Sequence, residues 1–358
     1  MRYVLYDFLQ VPGGAERVAL VLAREFPQYR LAVSRVYAEA QALIDEFQAQ
    51  PQVLGRPWTA PLGRILEAIV AFRRGFPGIA DAQSVLYSGS YAPLSVHSQQ
   101  SGRRIYYCHT PPRFAYDLAD QYLAAVPAPI RGVARSLLGI VRREYQAAIE
   151  RMDVVIANSQ TVRQRLQNSL QLDAHVVYPP VDTKSFHWRD EGAYYLSTAR
   201  LVRYKRVDVI VRAFKTLPHL QLVIASGGPE LDALRRLAGD APNIRFLGWL
   251  SAEELRHWVT GARAVVYVPI AEDFGISPVE AMAAGKPVIG ADEGGLRETV
   301  VHGETGLLVG PEMSPQSLSE AVLELERMQP DRMRCACQHR AEQFTQPAFV
   351  QHMREFLE

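Results

Sequence analysis

Two glutamates that lie eight positions apart indicate a binding site in residues 269–290, PIAEDFGISPVEAMAAGKPVIG. Glu272 ends the loop after an apolar, strand-like run, and Glu280 lies in the first turn of a predicted helix with Ser277 as its N-cap. Carboxylates accept hydrogen bonds from hydroxyl groups, so two of them could hold two rings of one sugar-containing ligand. A favourable charge on the helix dipole, worth up to about 1 kcal/mol, also explains Glu280, whereas Glu272 has no such structural explanation.

The turn between these glutamates offers backbone groups as well. Gly275 permits tight backbone geometry just before the predicted helix. The N–H groups of Phe274, Gly275 and Ile276 can therefore point into a cleft beside the carboxylates.

Two cations follow another strand-like run in STARLVRYKRVDVIVRAF. Arg200 and Lys205 come directly after the strand, where their charges could neutralise a diphosphate. An exposed surface loop is the alternative, since arginine and lysine are usually solvated. The next helix has an apolar face that includes Ile210 and Phe214, which places this loop at the mouth of a sheet and favours the site.

Glycines mark three further strand ends that could approach a ligand. Gly13 and Gly14 precede a helix beginning near Ala15, whose N–H groups could bind a phosphate, although a plain turn is equally compatible. The spacing is not the G-x-G-x-x-G fingerprint, which disfavours a nicotinamide cofactor. The other candidates each have turn formation as their first explanation, and they are Gly227, Gly228 and Gly248.

One histidine lies at a strand end in the first half of the chain, in YYCHTPPRFAYDL. His109 is followed by two prolines that fix its loop, so a site role and a structural role are equally compatible. Arg113 and Tyr116, a few positions later, are candidates for the acceptor side of the same cleft.

The elements that must position these residues form an alternating pattern of short apolar runs and helical segments. This pattern predicts βαβ units with parallel sheets, and the continuously apolar runs indicate strands buried on both faces. The ten predicted strands lie in RYVLYD, YRLAVSRVY, SVLYSG, RRIYYCH, DVVIANS, AYYLSTA, LQLVIAS, IRFLG, AVVYVP and KPVIGA.

A break at Pro179 and Pro180 predicts two domains, 1–180 and 181–358. Two doubly wound, Rossmann-like domains facing a deep cleft are the simplest α/β architecture, with ligands bound at the carboxyl ends of the strands. The last helix, PAFVQHMREFLE, could pack on either domain.

Composition excludes several classes of protein. The 358 residues are 48% hydrophobic and 22% charged, which is ordinary for a globular chain, and no apolar run approaches the roughly 18 residues of a membrane span. Acidic and glycine residues come too early for a secretory signal. Three cysteines, at 108, 335 and 337, form neither a disulfide framework nor a zinc set, so we expect a cytoplasmic protein. We also expect no nucleic-acid partner.

Charge is distributed unevenly along the chain. Residues 1–180 carry 19 arginines, no lysine and 14 acidic residues, whereas 181–358 carry 20 basic and 24 acidic residues. This asymmetry predicts an anionic partner for the first half, and basic amphipathic helices can lie on a membrane surface. A solvated basic face over a packed apolar stripe is the alternative. The arginines concerned lie in GRILEAIVAFRRG and IRGVARSLLGIVRREY: Arg64, Arg73, Arg74, Arg131, Arg135, Arg142 and Arg143.

These motifs resemble a known family. EDFGISPVEAMAAGKPVI resembles the E-x7-E segment of retaining glycosyltransferases of family 4, which have the GT-B fold, and ARLVRYKRVD is similar to their phosphate-binding stretch. VPGGAERV and VVYPPVD resemble their glycine loop and interdomain linker. YYCHTPPRFAYDL resembles the subgroup of O-antigen mannosyltransferases, which implies GDP-mannose as the donor.

The resemblance implies a role for each candidate residue. Arg200 and Lys205 would bind the donor diphosphate and stabilise the leaving group. Glu272 and the backbone of 274–276 would hold the transferred sugar, while Glu280 would hold the ribose. His109 would contact the sugar near the reacting carbon. The remaining donor-binding candidates are Gly13, Gly14, Gly227, Gly228, Gly248 and Ser277. The family usually has glycine at the position of Ala199.

The expected activity is therefore retaining hexose transfer, from GDP-mannose to a glycan or lipid-linked acceptor in cell-surface polysaccharide synthesis. No D-x-D pair occurs, so we expect transfer without a metal or other cofactor. The alternatives are a UDP-sugar donor such as UDP-glucose, a nucleotide-sugar epimerase or phosphorylase of the same fold, and a non-catalytic sensor. Peripheral contact with the inner face of the membrane, through the first domain, is a further expectation.

Overall fold

The computed structural model describes residues 1–10, 13–55, 63–124, 126–190, 192–310 and 312–358. The chain divides into two compact units. The first comprises Met1–Pro180 together with Phe349–Glu358, and the second comprises Val181–Ala348. Each unit contains a parallel sheet with helices in the connections between strands, as short apolar strands separated by helical segments require.

The first unit contains a seven-stranded sheet of order β3-β2-β1-β4-β5-β6-β7, in which every pairing is parallel. Its strands are β1 (Arg2–Tyr6), β2 (Tyr29–Val33), β3 (Gln52–Val53), β4 (Ser84–Ser88), β5 (Arg103–Cys108), β6 (Val154–Ala157) and β7 (His175–Val176). Its helices are α1 (Gly14–Glu25), α2 (Gln41–Phe47), α3 (Gly63–Arg74), α4 (Ala119–Ala124), α5 (Arg131–Ile149) and α6 (Gln160–Leu170).

Two cores lie on opposite faces of this sheet. Val4 and Tyr6 of β1 enter one core while Tyr3 and Leu5 enter the other, because successive strand residues point to opposite faces. The C-terminal helix adds four residues to the first core: Phe349, Val350, Met353 and Leu357. The burial of both faces explains why the strands read as unbroken apolar runs.

The second unit contains a six-stranded parallel sheet of order β10-β9-β8-β11-β12-β13. Its strands are β8 (Tyr194–Ser197), β9 (Gln221–Ile224), β10 (Ile244–Phe246), β11 (Ala264–Tyr267), β12 (Val288–Ala291) and β13 (Gly306–Val309). Its helices are α7 (Val207–Lys215), α8 (Leu231–Ala238), α9 (Ala252–Thr260), α10 (Ile276–Ala283), α11 (Leu296–Thr299), α12 (Pro315–Met328) and α13 (Arg334–Glu342). The final helix, α14 (Gln346–Leu357), begins in this unit and belongs to the first unit from Phe349 onward.

Strand order reverses once in each sheet. The chain builds outward from β8 through β9 and β10, and then returns to add β11, β12 and β13 on the other side. The corresponding reversal in the first sheet lies between β1 and β4. Loops at the carboxyl ends of strands flanking such a reversal leave a crevice where doubly wound sheets bind ligands.

All ten predicted strands are confirmed, and the sheets contain three further strands that the pattern does not predict. β3 and β7 have only two residues each, too few to give a pattern. β13 begins at Gly306, where an added Cβ would lie 1.9 Å from the carbonyl oxygen of Val288. Its first residue is therefore a glycine for steric reasons. In the sequence, a glycine at this position predicts a turn rather than a strand. Within the described part of the chain, no helix is long and apolar enough to cross a membrane.

Candidate functional site

An ion pair between a buried lysine and a partly buried glutamate lies at the strand reversal of the second sheet. Lys205 ends a short 3-10 turn after β8, and Glu272 lies in the loop after β11. The Lys205 Nζ atom is 2.6 Å from Glu272 Oε2 and 3.0 Å from the hydroxyl of Tyr267, the last residue of β11. β8 and β11 are neighbours, so two loops that are distant in sequence meet at one sheet edge.

The charge state of this pair follows from its surroundings. Burial alone would lower the pKa of Lys205, but Tyr267 and Glu272 outweigh burial and raise that pKa above its ordinary value. Burial, followed by the Glu272 charge, raises the pKa of the Tyr267 phenol. At neutral pH the site therefore holds an ammonium and a neutral phenol, and this positive charge is in place before any ligand arrives.

Arg200 joins this pair through an intervening aromatic ring. Its Nη2 atom is 3.2 Å from the hydroxyl of Tyr204, and the Tyr204 ring centroid is 5.5 Å from Lys205 Nζ. The Tyr204 carbonyl accepts a 2.7 Å hydrogen bond from the N–H of Ile270, which belongs to the Glu272 loop. Arg200 itself is exposed, so the structure presents one buried and one accessible cation on neighbouring loops.

The helix after Glu272 begins differently from the prediction. Ser277 is not the N-cap: α10 begins at Ile276, with Gly275 as N-cap at a φ of 97°. Glu280 consequently lies in the second turn rather than the first, which removes the dipole explanation that the sequence offered for it. Pattern reasoning favoured Ser277 and Pro278 because both are common at helix starts, and it missed the left-handed glycine that starts the helix earlier.

Helix α10 is buried on most of its surface. Its half-buried residues are Ile276, Ser277 and Glu280, and Glu280 lies on the same side as the other two because it follows them by four and three positions. Phe274, just before the helix, is buried and packs edge-on against Phe344 at 5.2 Å between ring centroids. The accessible face of α10 thus carries two of the predicted polar residues.

Two glycines that sequence reasoning missed hold this loop in place. A Cβ at Gly294 would lie 2.4 Å from the Glu272 carbonyl oxygen, and one at Gly295 would lie 2.4 Å from Phe274 Cα. The Gly295 N–H also donates a 2.8 Å hydrogen bond to the Glu272 carbonyl. The double glycine after β12 is a visible signal for such close backbone approach.

A third missed residue, Glu293, connects both sides of the ion pair. It accepts hydrogen bonds from Arg206 Nη1 at 2.5 Å and from the Ala271 N–H at 3.1 Å. Arg206 follows Lys205 and has a φ of 52°, while Ala271 precedes Glu272 and has a φ of 45°. Both are unfavourable left-handed conformations for residues with a side chain, so Glu293 braces two strained positions beside the pair.

The glycines after β9 serve the packing of the Arg200 loop. Gly228 has a φ of 154°, and a Cβ there would lie 2.4 Å from the carbonyl oxygen of Leu201. The Leu201 N–H donates to the Gly227 carbonyl at 3.0 Å. Gly248 has a φ of 76° and open space around it, so its turn, rather than a close contact, requires glycine.

His109 lies in the first unit, directly after β5. Its Nε2 atom is 2.8 Å from Ser88 Oγ at the end of β4. Burial lowers the pKa of His109 to about 4, so the imidazole is neutral at physiological pH. Nearby Asp7 follows β1 and accepts hydrogen bonds from three backbone N–H groups, at residues 90 to 92, although burial raises the pKa of its carboxyl group to about 6. Asp7 thereby fixes the loop after β4.

The other first-unit candidates have identifiable local roles. Gly13 is the N-cap of α1 with extended backbone, and Gly14 begins that helix, while Val11 and Pro12 of the same loop lie outside the described residues. Arg113 forms a 2.9 Å ion pair with Asp117. The remaining candidate, Tyr116, has the Arg142 guanidinium over its ring at 5.8 Å, and burial raises the pKa of its phenol to about 12.

Comparison with known proteins identifies the family. Residues 12–185 match the family model described as Glycosyltransferase Family 4, and residues 181–342 match the model described as Glycosyl transferases group 1. The chain belongs to the family 4 glycosyltransferases. This assignment confirms the family predicted from the E-x7-E and Arg–Lys segments.

Individual relatives of this glycosyltransferase are about 31–32% identical to it over only part of the chain. A D-inositol 3-phosphate glycosyltransferase of Nocardioides sp. is 31% identical over 201 residues, covering 46% of this chain and 44% of that protein. A GDP-mannose-dependent alpha-(1-6)-phosphatidylinositol monomannoside mannosyltransferase of Mycobacterium tuberculosis is 32% identical over 222 residues, covering 54% and 57%. The chain thus spans about half the length of the curated relatives it matches.

The fold is shared with solved glycosyltransferase structures. The crystal structure of Anabaena HepE in complex with UDP and glucose covers 100% of this chain and 99% of its own, with a TM-score of 0.79 at 18% identity. The predicted α/β class with two Rossmann-like domains of GT-B type is therefore confirmed.

Proposed function

We propose that this chain is a retaining, metal-independent glycosyltransferase that moves a hexose from a nucleotide-sugar donor to a glycan or lipid-linked acceptor. The Lys205–Glu272 pair at the strand reversal of the second sheet is the observation that carries the proposal. Glycosyl transfer breaks the anomeric C–O bond, and the bonding electrons leave with the nucleoside diphosphate. A cation fixed near that leaving group stabilises the developing charge.

Each residue of the pair has a separate task. Lys205 supplies a buried positive charge, and Arg200 supplies an accessible one that can close on the diphosphate. Glu272 holds the ammonium through one carboxylate oxygen and can accept sugar hydroxyl groups through the other. The α10 face carrying Ser277 and Glu280 lies beyond this loop, where it would bind the rest of the donor. Because Lys205 and Arg200 would stabilise the leaving diphosphate, we propose that transfer needs no metal ion.

The donor we propose is GDP-mannose. The relative from Mycobacterium tuberculosis is described as a GDP-mannose-dependent mannosyltransferase. The stretch YYCHTPPRFAYDL, which includes His109, resembles the O-antigen mannosyltransferases and supports the same donor. His109 is neutral at working pH, so it can hydrogen-bond the sugar near the reacting carbon without adding charge there. Synthesis of a cell-surface polysaccharide is the setting that this subgroup suggests.

Thermal stabilisation by ligands tests the donor directly, because a ligand that binds only the folded protein raises its melting temperature. We expect GDP and GDP-mannose to stabilise the native chain more than UDP and UDP-glucose do. A larger shift with the UDP compounds would replace the proposed donor and retain the site.

Two variants test the site. We expect Lys205→Ala and Glu272→Ala each to abolish detectable transfer, as measured by release of the nucleoside diphosphate, since loss of one preorganised group typically costs about 10²–10³-fold in turnover. The matched controls Lys184→Ala and Glu304→Ala change exposed residues of the same types in the same unit, and should retain native turnover. Normal turnover by both site variants would refute the proposal, and turnover with inorganic phosphate as acceptor would indicate a phosphorylase.

A further inference from the structure

The start of α5 and the residue before it present an apolar stripe to solvent. The four side chains of this stripe are exposed at 55%, 63%, 57% and 44%: Ile130, Val133, Leu137 and Ile140. Their spacing of three, four and three positions places them on one helix face, which a globular domain normally buries. The packed part of the helix is its C-terminal end, where Tyr145, Ala148 and Ile149 enter the core. A basic face over a packed stripe, the alternative offered by the sequence, is therefore wrong for the start of α5.

Positive charge predominates around the stripe. No aspartate or glutamate occurs in 121–143, a segment flanked by Asp120 and by Glu144, which pairs with Arg73, whereas four arginines do: Arg131, Arg135, Arg142 and Arg143. Arg142 is anchored to the carbonyl oxygen of Ala115, and Arg135 and Arg143 are exposed beside the stripe. An apolar stripe bordered by arginines without carboxylates is complementary to a surface that is apolar beneath an anionic layer.

An aromatic side chain extends the same region. Helix α4 packs on α5 and contributes Tyr122, which is 55% exposed. Tyrosine is favoured where one end of a side chain is in an apolar medium and the other is in water. We define the α5 face by its exposed apolar and aromatic residues: Tyr122, Ile130, Val133, Leu137 and Ile140.

We propose that the α5 face binds the surface of an anionic lipid bilayer. The helix would lie in the plane of the interface, with its aliphatic side chains among the upper acyl segments and its arginines on lipid phosphates. A second copy of this chain is a poorer occupant, because two α5 faces in contact would bring eight arginines together without a carboxylate between residues 121 and 143. A nucleic acid would satisfy the arginines but would leave the apolar side chains against phosphate.

Vesicle sedimentation of the full chain tests this proposal. The probes are vesicles of phosphatidylcholine mixed with phosphatidylglycerol, and vesicles of phosphatidylcholine alone. We expect binding to the mixed vesicles that weakens at high salt, and much weaker binding to the neutral ones. Absence of binding to the mixed vesicles at low salt would overturn the proposal, as would equal binding to both vesicle types.

Surface variants assign the binding to the stripe and to its arginines. Val133→Ser/Leu137→Ser should reduce the partition coefficient at least tenfold, because exposed aliphatic side chains lose their membrane burial while the core is unchanged. Arg135→Gln/Arg143→Gln should reduce it by roughly tenfold or more at low salt, since each arginine near an anionic surface contributes about fivefold. Circular dichroism checks that both variants remain folded.

Matched changes on the second unit provide the controls. Leu323→Ser removes an exposed aliphatic side chain of α12, and Arg235→Gln/Arg236→Gln removes two exposed arginines of α8. Both should bind vesicles like the native chain, as should Lys205→Ala, so this test is separate from that of the proposed activity. Native binding by Val133→Ser/Leu137→Ser would refute the assignment. If the native chain forms a dimer that this variant dissociates, and the native chain binds no vesicles, the α5 face is a self-association surface instead.

Discussion

Removing Glu293 should disturb catalysis although its carboxylate contacts the neighbours of Lys205 and Glu272 rather than the ion pair itself. Its carboxylate binds Arg206 and the Ala271 N–H, the two residues next to Lys205 and Glu272 along the chain. Both neighbours have positive φ, at 52° and 45°. A non-glycine residue costs about 1–2 kcal/mol in this region, so each position will relax if its brace is lost.

The magnitude follows from the two contacts. The Arg206–Glu293 pair is partly exposed, at 21% and 31% for the two side chains, and such pairs contribute about 0.2–1 kcal/mol. The hydrogen bond from Ala271 contributes about 1 kcal/mol. We therefore expect Glu293→Ala to lower the free energy of unfolding by about 1–2 kcal/mol, and Glu293→Gln by less. Turnover should fall more steeply, by about 10–100-fold, because a shift of about 1 Å in catalytic groups has that effect.

Kinetics and urea unfolding, measured together, distinguish positioning from general destabilisation. In the Glu293→Ala background, Arg206→Gly/Ala271→Gly should recover much of kcat and part of the lost stability, since glycine adopts positive φ without strain. Glu304→Ala, an exposed change in the same unit, serves as the control. Native kcat for Glu293→Ala, or recovery of stability without kcat, would refute the brace.

Three further variants follow from single observations. Gly295→Ala should cost about 1–3 kcal/mol in unfolding experiments, because its Cβ would meet backbone at 2.4 Å, whereas Gly310→Ala, with nothing within 4 Å, should be near neutral. Burial lowers the pKa of His109 from 6.5 to about 4, so between these pH values the unfolded chain binds one more proton and stability falls on acidification. His109→Asn should therefore reduce the pH dependence of the unfolding free energy by up to about 1.4 kcal/mol per pH unit. Urea unfolding at several pH values measures this dependence, and an unchanged pH dependence would contradict the prediction. Tyr204→Phe should weaken donor binding by releasing Arg200, which a thermal-shift titration with GDP-mannose measures.

The sequence predicts elements that depend on local pattern. Ten of the thirteen strands, the parallel α/β plan and the meeting of Lys205 with Glu272 follow from apolar runs and from residues placed at strand ends. The start of α10 does not follow, because Ser277 and Pro278 have the local character of a helix start while Gly275 decides the boundary through its φ of 97°.

Hydrogen-bond partners that are distant along the chain cannot be predicted from the sequence pattern. Glu293 reads as an ordinary loop residue, and only the folded chain shows that its carboxylate reaches Arg206, 87 positions away. Asp7 is similar, since its partners are backbone N–H groups more than 80 positions along the chain. The exposed stripe of α5 is hidden for another reason, because periodicity identifies an amphipathic helix but not which face is covered.

The location of charge explains why the two anionic partners are assigned to different units. The first half has net positive charge, yet two titratable groups near its strand reversal add none of it: His109 is neutral at working pH, and Asp7 is held by backbone N–H groups. Two of its arginines, Arg135 and Arg143, are exposed beside the stripe of α5. The second unit has net negative charge but keeps a protonated Lys205 at its own strand reversal. A diphosphate binds best to a localised, desolvated positive charge, whereas an anionic membrane binds an extended positively charged surface. We therefore propose the donor for the second unit and the lipid surface for the first, although the first unit has the positive net charge.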